Sequence, residues 1–242
     1  MWLDVVIPTL DEEVQLALHL PGVLTVADRV VVSDGGSLDA TRKVAAEHGV
    51  AFIEGPPGRG GQIVRGVESL LTDSPQFVEQ AESNHVVLVL HADVRLPLDA
   101  REQIEGGLTH GAVGGGFRLE YDSPRRIYRL AEWLIHRRTR WTRCPLGDQA
   151  QFVRLDIWRQ LGGMRPWPIL EDLDLIRRLK RHGNVVLIDS PVRASARRFE
   201  SMGIARTVAV DWLIWALYFL GITPERLARF YRRTTKTPRE SG

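Results

Sequence analysis

Over the first ninety residues, short apolar runs alternate with segments whose apolar residues recur at helical spacing. Leu3–Ile7, Arg29–Ser33, Ala51–Glu54 and Val86–Leu90 are rich in β-branched residues and read as strands. Residues 12–20, 38–48 and 60–71 between them read as helices. The strand-like runs are apolar almost throughout, as strands buried on both faces must be. The repeated βα order predicts a mostly parallel sheet with right-handed crossovers and helices on both faces. Beyond Leu96 the pattern changes to a helix near 97–109, a strand over Gly114–Tyr121, a basic helix near 124–140 and a short strand over Ala150–Arg154, so a mixed α/β sheet is expected. A helix over 171–182 carries Leu175, Ile176 and Leu179 on one face, with Gly183 placed as its C′ residue before a strand over Val185–Ile188. From Gly203 to Arg233 the pattern predicts two helices separated at Gly221–Pro224. One domain over 1–200 and a helical tail over 201–242 are expected.

Composition narrows the classes. A chain of 242 residues with 44% apolar content can bury a sizeable core. A formal net charge of +2 supplies no global field that would point to nucleic acid. Cys144 is the only cysteine, which excludes an intrachain disulfide and four-cysteine metal sites and favours a reducing, cytoplasmic setting. Met1-Trp2-Leu3-Asp4 lacks the basic start of a signal peptide. The run Val208–Ile222 is interrupted by Asp211 and falls short of the roughly 20 residues that cross a bilayer.

Ligands of open α/β sheets bind outside the carboxyl ends of the strands. Those positions are polar here: Pro8-Thr9-Leu10-Asp11-Glu12-Glu13, Asp34-Gly35-Gly36-Ser37-Leu38-Asp39, Gly55-Pro56-Pro57-Gly58-Arg59-Gly60-Gly61 and His91-Ala92-Asp93. Each segment also has a local explanation. Asp11 suits a helix N-cap and Ser37 another, and the glycine stretch is neither a Walker loop nor a GxGxxG turn. Delivery of carboxylates, glycines, Arg59, His91 and Asp93 to one edge is what points to a ligand site.

These segments resemble a family 2 glycosyltransferase of the GT-A fold over Leu3 to Leu187. The likeness rests on Val5-Val6-Ile7-Pro8-Thr9-Leu10-Asp11-Glu12, on Val31 through Thr41, and on Gly58-Arg59-Gly60-Gly61-Gln62 with Gly66. His91-Ala92-Asp93, Gly147-Asp148-Gln149 and Glu171-Asp172 are similar to a small bacterial subgroup, some members of which are associated with arsenosugar biosynthesis. The resemblance implies inverting transfer from a UDP- or GDP-linked donor to an acceptor hydroxyl. It implies a nucleotide site of Pro8, Thr9, Glu12, Asp34, Arg59, His91, Ala92 and Asp93, with Asp34 accepting a base N–H. The family's usual Asp-x-Asp motif begins here with His91, which leaves Asp93 as the implied ligand of Mn²⁺ or Mg²⁺ together with diphosphate oxygens. Asp172 is the implied general base and Glu171 its positioning partner, against the alternative that both acids cap a helix. Gly147, Asp148 and Gln149 would line the sugar and acceptor pocket, or form only a turn before a strand. Arg197 and Arg198 would grip diphosphate oxygens, or stand as a solvated pair.

Two other functions compete. A sugar-phosphate nucleotidyltransferase would carry a glycine-rich, arginine-containing loop after the first strand, where this chain has Pro8-Thr9-Leu10-Asp11-Glu12. A non-catalytic nucleotide-sugar-binding protein would not need Glu171-Asp172. The arginine-rich stretch Arg125–Arg143, with Trp133 and Trp141, suits an anionic acceptor, a lipid headgroup, a partner subunit or plain solvation. Trp212–Leu220 is too apolar for a freely exposed helix, so packing on the domain, a homodimer contact and peripheral membrane contact are open alternatives.

Overall fold

The computed structural model describes residues 1–72 and 84–235. In chain order its elements are β1 (Trp2–Thr9), α1 (Glu13–Leu24), β2 (Arg29–Asp34), α2 (Thr41–Glu47), β3 (Ala51–Glu54) and α3 (Arg59–Thr72). There follow β4 (His85–Val89), β5 (Val94–Arg95), α4 (Ala100–Thr109), β6 (Ala112–Tyr121) and α5 (Arg126–Thr142). The remainder comprises a 3₁₀ turn at Gly147–Gln149, β7 (Phe152–Arg154), α6 (Leu155–Gln160), α7 (Glu171–Leu179) and β8 (Asn184–Ala194). The described residues end with α8 (Arg197–Met202), α9 (Ile204–Phe219) and α10 (Pro224–Thr235).

The strands form one sheet in the order β3-β2-β1-β4-β7-β6-β8-β5. β1 pairs in parallel with β2 and β4, and β2 with β3. β7 runs antiparallel between β4 and β6, β6 and β8 are parallel, and β5 is antiparallel to β8. The mixed sheet predicted from sequence is therefore present. Its two faces are built by strict alternation. Leu3, Val5 and Ile7 of β1 and Val86, Leu88 and Leu90 at β4 enter a core with Leu16, Leu20, Val44, Ile104 and Tyr128, under α1, α2, α4 and α5. Val6, Val31, Val87 and Val89 enter a second core with Ile63, Val67, Trp158, Leu175 and Leu179, under α3, α6 and α7. Ile214 and Leu227 join that second core, which packs the tail helices against the domain.

Several boundaries differ from the sequence reading for identifiable reasons. α1 continues through Pro21 to Leu24 because Leu20 and Val23 are both buried. α7 ends at Leu179 rather than 182, with Lys180 as its cap, and Gly183 is not left-handed. Gly183 is instead a close-contact residue, since a Cβ there would lie 2.6 Å from Val113 Cγ1. β8 runs on to Ala194: Phe117 pairs with Ile188 but Arg118 pairs with Pro191, so a bulge over Asp189–Ser190 carries the strand past the proline. Ala150, expected in a strand, is left-handed at φ 48°. Among the described residues no helix is long and apolar enough to cross a membrane.

Candidate functional site

β1 sits between β2 and β4, with α1 and α2 covering one face and α3 the other, so the sheet reverses its winding between β1 and β4. A crevice opens at the carboxyl ends of strands at such a point. Thr9 ends β1, Asp34 ends β2, and His91-Ala92-Asp93 follows β4. The Asp34 carboxylate is saturated. Thr9 Oγ1 and Ser37 Oγ donate to its Oδ1 at 2.8 and 2.5 Å, while the Gly36 and Ser37 amides donate to Oδ2, each at 2.7 Å. Burial raises the Asp34 carboxyl, but the bonds from Ser37, Thr9 and Gly36 outweigh it and hold the group below the usual carboxylate range.

Gln62 binds three loops together. Its Nε2 donates to Thr9 O at 2.7 Å and Ser33 O at 3.0 Å, and its Oε1 accepts from Gly58 N at 3.2 Å. The loops after β1 and β2 also cap each other's helices. Asp39 Oδ2 accepts from Glu13 N at 2.9 Å and Thr41 Oγ1 from Glu12 N at 3.0 Å, while Glu13 Oε2 accepts from Ala40 N at 2.7 Å. Asp11 and Ser37 therefore do not cap their own helices as their positions suggested. Asp11 accepts from Leu38 N, and Ser37 Oγ accepts from Asp11 N, each at 2.8 Å. The first turns of α1 and α2 are thus fixed by one shared knot.

With its backbone held in that knot, Glu12 presents both carboxylate oxygens to Arg197 Nη2, at 2.9 and 2.8 Å. The same nitrogen lies 3.5 Å from Asp93 Oδ2, so Arg197 joins the β1 and β4 loops. The Arg198 side chain lies outside the described ones. Pro8 and Ala92 are buried supports of these loops.

The third cluster spans the middle of the chain. Arg59, the first residue of α3, forms an ion pair through Nε with Glu171 Oε1 at the start of α7. Glu171 is 0% exposed and its Oε2 has no hydrogen-bond partner. Burial pushes the Glu171 carboxyl up, against the pull of Arg59. On Arg59 burial opposes the charge, but Glu171, Asp172 and Asp148 outweigh it and raise the guanidinium further.

Asp172 is half-buried, and its Oδ2 accepts from Gly147 N at 2.8 Å while Oδ1 accepts from Leu173 N at 2.7 Å. A Cβ on Gly147 would lie 3.0 Å from His91 Nε2 and 3.2 Å from Asp172 Oδ2, so only a glycine fits between these two side chains. Burial and the Arg59 charge push the His91 imidazole down to about 4, against Asp93 and Asp172. It is neutral at neutral pH.

The Gly147-Asp148-Gln149 segment divides its tasks. Gln149 is 1% exposed, donating from Nε2 to Phe117 O at 2.8 Å and accepting at Oε1 from Leu146 N at 3.1 Å and Thr139 Oγ1 at 3.2 Å. That amide is committed to the scaffold. Asp148 is half-buried within reach of the Arg59 charge. Gln62 and Gln151, to which the sequence assigned no role, prove to be braces, Gln151 Nε2 donating to Pro145 O at 2.8 Å and Asp172 O at 3.2 Å. The only signal for them was a polar residue at an otherwise buried position.

Among the described residues no group of three or more His, Cys, Asp or Glu side chains is arranged to hold a metal ion. Asp93 offers one half-buried carboxylate at the crevice, loosely held by Arg197. A single carboxylate fits a divalent cation that takes most of its ligands from substrate phosphates. It does not fit a cation held by protein alone.

The chain matches no protein-family model and no curated protein. Solved structures do resemble it. Glucosyl-3-phosphoglycerate synthase from Mycobacterium tuberculosis, in complex with Mn²⁺, UDP-glucose and phosphoglyceric acid, superimposes with a TM-score of 0.52 at 21% identity, covering 78% of this chain and 70% of that one. TarS from S. aureus, residues 1–349, gives a TM-score of 0.52 at 16% identity, covering 87% of this chain and 65% of that one. Full TarS gives 0.54 at 15% identity, and this chain spans 39% of its length. The fold is a GT-A-type glycosyltransferase fold, as the sequence resemblance implied.

Proposed function

We propose that this chain is an inverting glycosyltransferase that moves a sugar from a UDP- or GDP-linked donor to an acceptor hydroxyl, assisted by Mn²⁺ or Mg²⁺. The observation that carries the reading is the meeting of Arg59, Glu171, His91, Gly147 and Asp172 at the switch-point edge, beside the open carboxylate of Asp93. Fold neighbours in complexes with Mn²⁺ and UDP-glucose support it at the level of donor class. Residues 1–200 would form the catalytic domain and 201–242 the tail, supported by the packing of Ile214 and Leu227 on the second core.

In this reading Pro8, Thr9, Glu12, Asp34, Arg59, His91, Ala92 and Asp93 form the donor site. A base N–H reaches Asp34 only by displacing the Ser37 or Thr9 hydroxyl, so base selection is an exchange of hydrogen bonds. Asp93 would hold a cation that neutralises charge on the departing diphosphate. Arg197 would release Glu12 and turn its fork to diphosphate oxygens. The acceptor oxygen attacks the anomeric carbon, its proton passes to Asp172, and the bond to the diphosphate breaks with its electron pair. Glu171 is buried against Arg59 and cannot meet an acceptor, which leaves it to position Arg59 while Asp172 faces the reaction. Gly147 would let the sugar approach closely, with Asp148 on its hydroxyls.

Thermal shifts with UDP, GDP and ADP, with and without Mn²⁺, test the reading. One nucleoside diphosphate is expected to raise the melting temperature selectively, and a ligand at a hundred times its Kd stabilises by about 2.7 kcal/mol. The Mn²⁺-dependent part of the shift is expected to vanish in Asp93→Asn. No shift with any diphosphate in the presence of Mn²⁺ overturns the proposal. Release of inorganic diphosphate from a nucleoside triphosphate and a sugar 1-phosphate would establish the nucleotidyltransferase instead.

A further inference from the structure

α5 has two opposite faces, and the fold uses only one. Tyr128, Ala131, Glu132 and Thr139 are turned inward against the sheet side. On the outside Ile127 is 46% exposed, Leu130 53%, Trp133 52%, Leu134 52% and Trp141 89%. Positions 127, 130, 134 and 141 fall on one stripe of the helix, broken at the fourth place by Arg137. A row of this length, exposed and aromatic, is unusual for a surface that meets only water.

The stripe is flanked by positive charge. Arg126, Arg137 and Arg140 are exposed on the same side, with Arg125 and Arg143 at the helix ends. α5 carries one acid, Glu132, which is 8% exposed and turned inward to accept from Tyr121 N at 2.7 Å and pair with Arg129. The outward face therefore holds arginines, tryptophans and leucines and no carboxylate. The chain as a whole has a net charge of only +2, so this concentration is local.

The Arg138 guanidinium lies 5.1 Å from the Trp215 ring centroid, which joins α5 to α9.

We propose that the outward face of α5 docks on an anionic lipid surface. A helix lying in a membrane interface needs apolar side chains to enter the headgroup boundary and arginines to meet lipid phosphates, with tryptophan at the junction. The Trp133 ring with Arg137 5.0 Å from its centroid has that form. A second copy of this chain is the poorer occupant. A two-fold contact sets the same patch against itself, and here it would bring arginines together with no acid on either side. The docking is independent of the reaction proposed above, but α5 leads directly to the Gly147–Gln149 turn, where Thr139 donates to Gln149. A docked α5 would hold the crevice beside the lipid surface.

Vesicle flotation with the whole chain tests this, using phosphatidylcholine alone and phosphatidylcholine with about one third phosphatidylglycerol. The protein is expected to float with the anionic vesicles, to ignore the neutral ones, and to be released as salt rises well above physiological strength. Arg137→Gln/Arg140→Gln and Trp133→Ser/Trp141→Ser are each expected to weaken binding by about tenfold or more. The altered side chains are exposed, so circular dichroism and melting of both variants should match the parent. Failure of the parent protein to float with anionic vesicles at low salt overturns the proposal. So does binding that neither double variant weakens. Dimerisation in sedimentation velocity that the same substitutions abolish, without vesicle binding, would assign the face to a second copy.

Discussion

Asp172 has a structural task, to which the proposed reaction adds that of general base. Its two oxygens fasten the Gly147 amide and the Leu173 amide. Replacement by asparagine separates the two. The amide has a single acceptor oxygen, so one of those two N–H groups loses its partner, at about 1 kcal/mol of stability. Removal of a general base typically lowers the rate about a hundredfold to ten-thousandfold. Asp172→Asn is therefore expected to melt slightly earlier, to keep its nucleotide-induced thermal shift, and to lose transfer by at least two orders of magnitude. Single-turnover rates corrected for the folded fraction are the measurement, and a near-parental rate would reassign the base. The acidic pair and the division of labour expected of it came with the sequence resemblance, but the Arg59 partner of Glu171 was not legible. Arg59 and Glu171 lie 112 positions apart, and only their pairing in space buries one acid and leaves its neighbour at the crevice.

At the scale of elements, the parts that repeat a period were readable and the parts that depend on a single close contact were not. β1 to β4 stand within a few residues of the expected positions because both faces of each strand are apolar. Val94–Arg95 is too short to show any alternation, and α6 follows β7 without an intervening residue, so neither leaves a pattern to read. The adjacent glycines of α3 make the same point energetically. A Cβ on Gly60 would stand 2.6 Å from Arg165 O and 2.8 Å from Trp167 O, whereas the nearest atom to one on Gly61 is Arg65 Nη1, at 3.6 Å. Backbone cannot swing aside as a side chain can. Gly60→Ala is expected to cost about 1–3 kcal/mol of overpacking and to move Arg59 away from Glu171, which weakens nucleotide binding. Gly61→Ala should be neutral or stabilise the helix by up to about 1 kcal/mol. Denaturant midpoints of the two variants decide it, and equal stabilities would show that the 165–167 segment yields freely.

At the scale of the whole molecule, a buried ionic cluster and the crevice lie at opposite ends of the same strands. Overlap with the solved structures at 15–21% identity shows how weakly the fold constrains identity where only a two-residue alternation of apolar side chains is required. The amino edge is more particular. Asp4, 0% exposed, accepts from Arg29 Nε at 2.8 Å and Nη2 at 2.6 Å, pairs with His85 Nε2 at 2.6 Å, and accepts from Trp2 Nε1 at 3.0 Å. Those residues stand at the starts of β1, β2 and β4, so one carboxylate ties three parallel strands far from the crevice. Burial raises the Asp4 carboxyl, but His85 and Arg29 outweigh it and hold the group below its ordinary value of 3.8. A carboxyl depressed in the folded state stabilises fully above its unfolded value and loses that contribution as pH falls through the folded one. The native protein should therefore shed this increment below about pH 4. Asp4→Asn leaves Arg29 facing a neutral amide, and breaking a buried pair from one side costs about 3 kcal/mol at neutral pH. The variant starts lower and has no Asp4 proton to take up, so its denaturant midpoint should fall less steeply between pH 5 and pH 3 than that of the parent. Parallel pH profiles would remove Asp4 from the account of acid stability. The nucleotide-induced thermal shift should survive in the folded variant, because the crevice lies at the other end of the same strands.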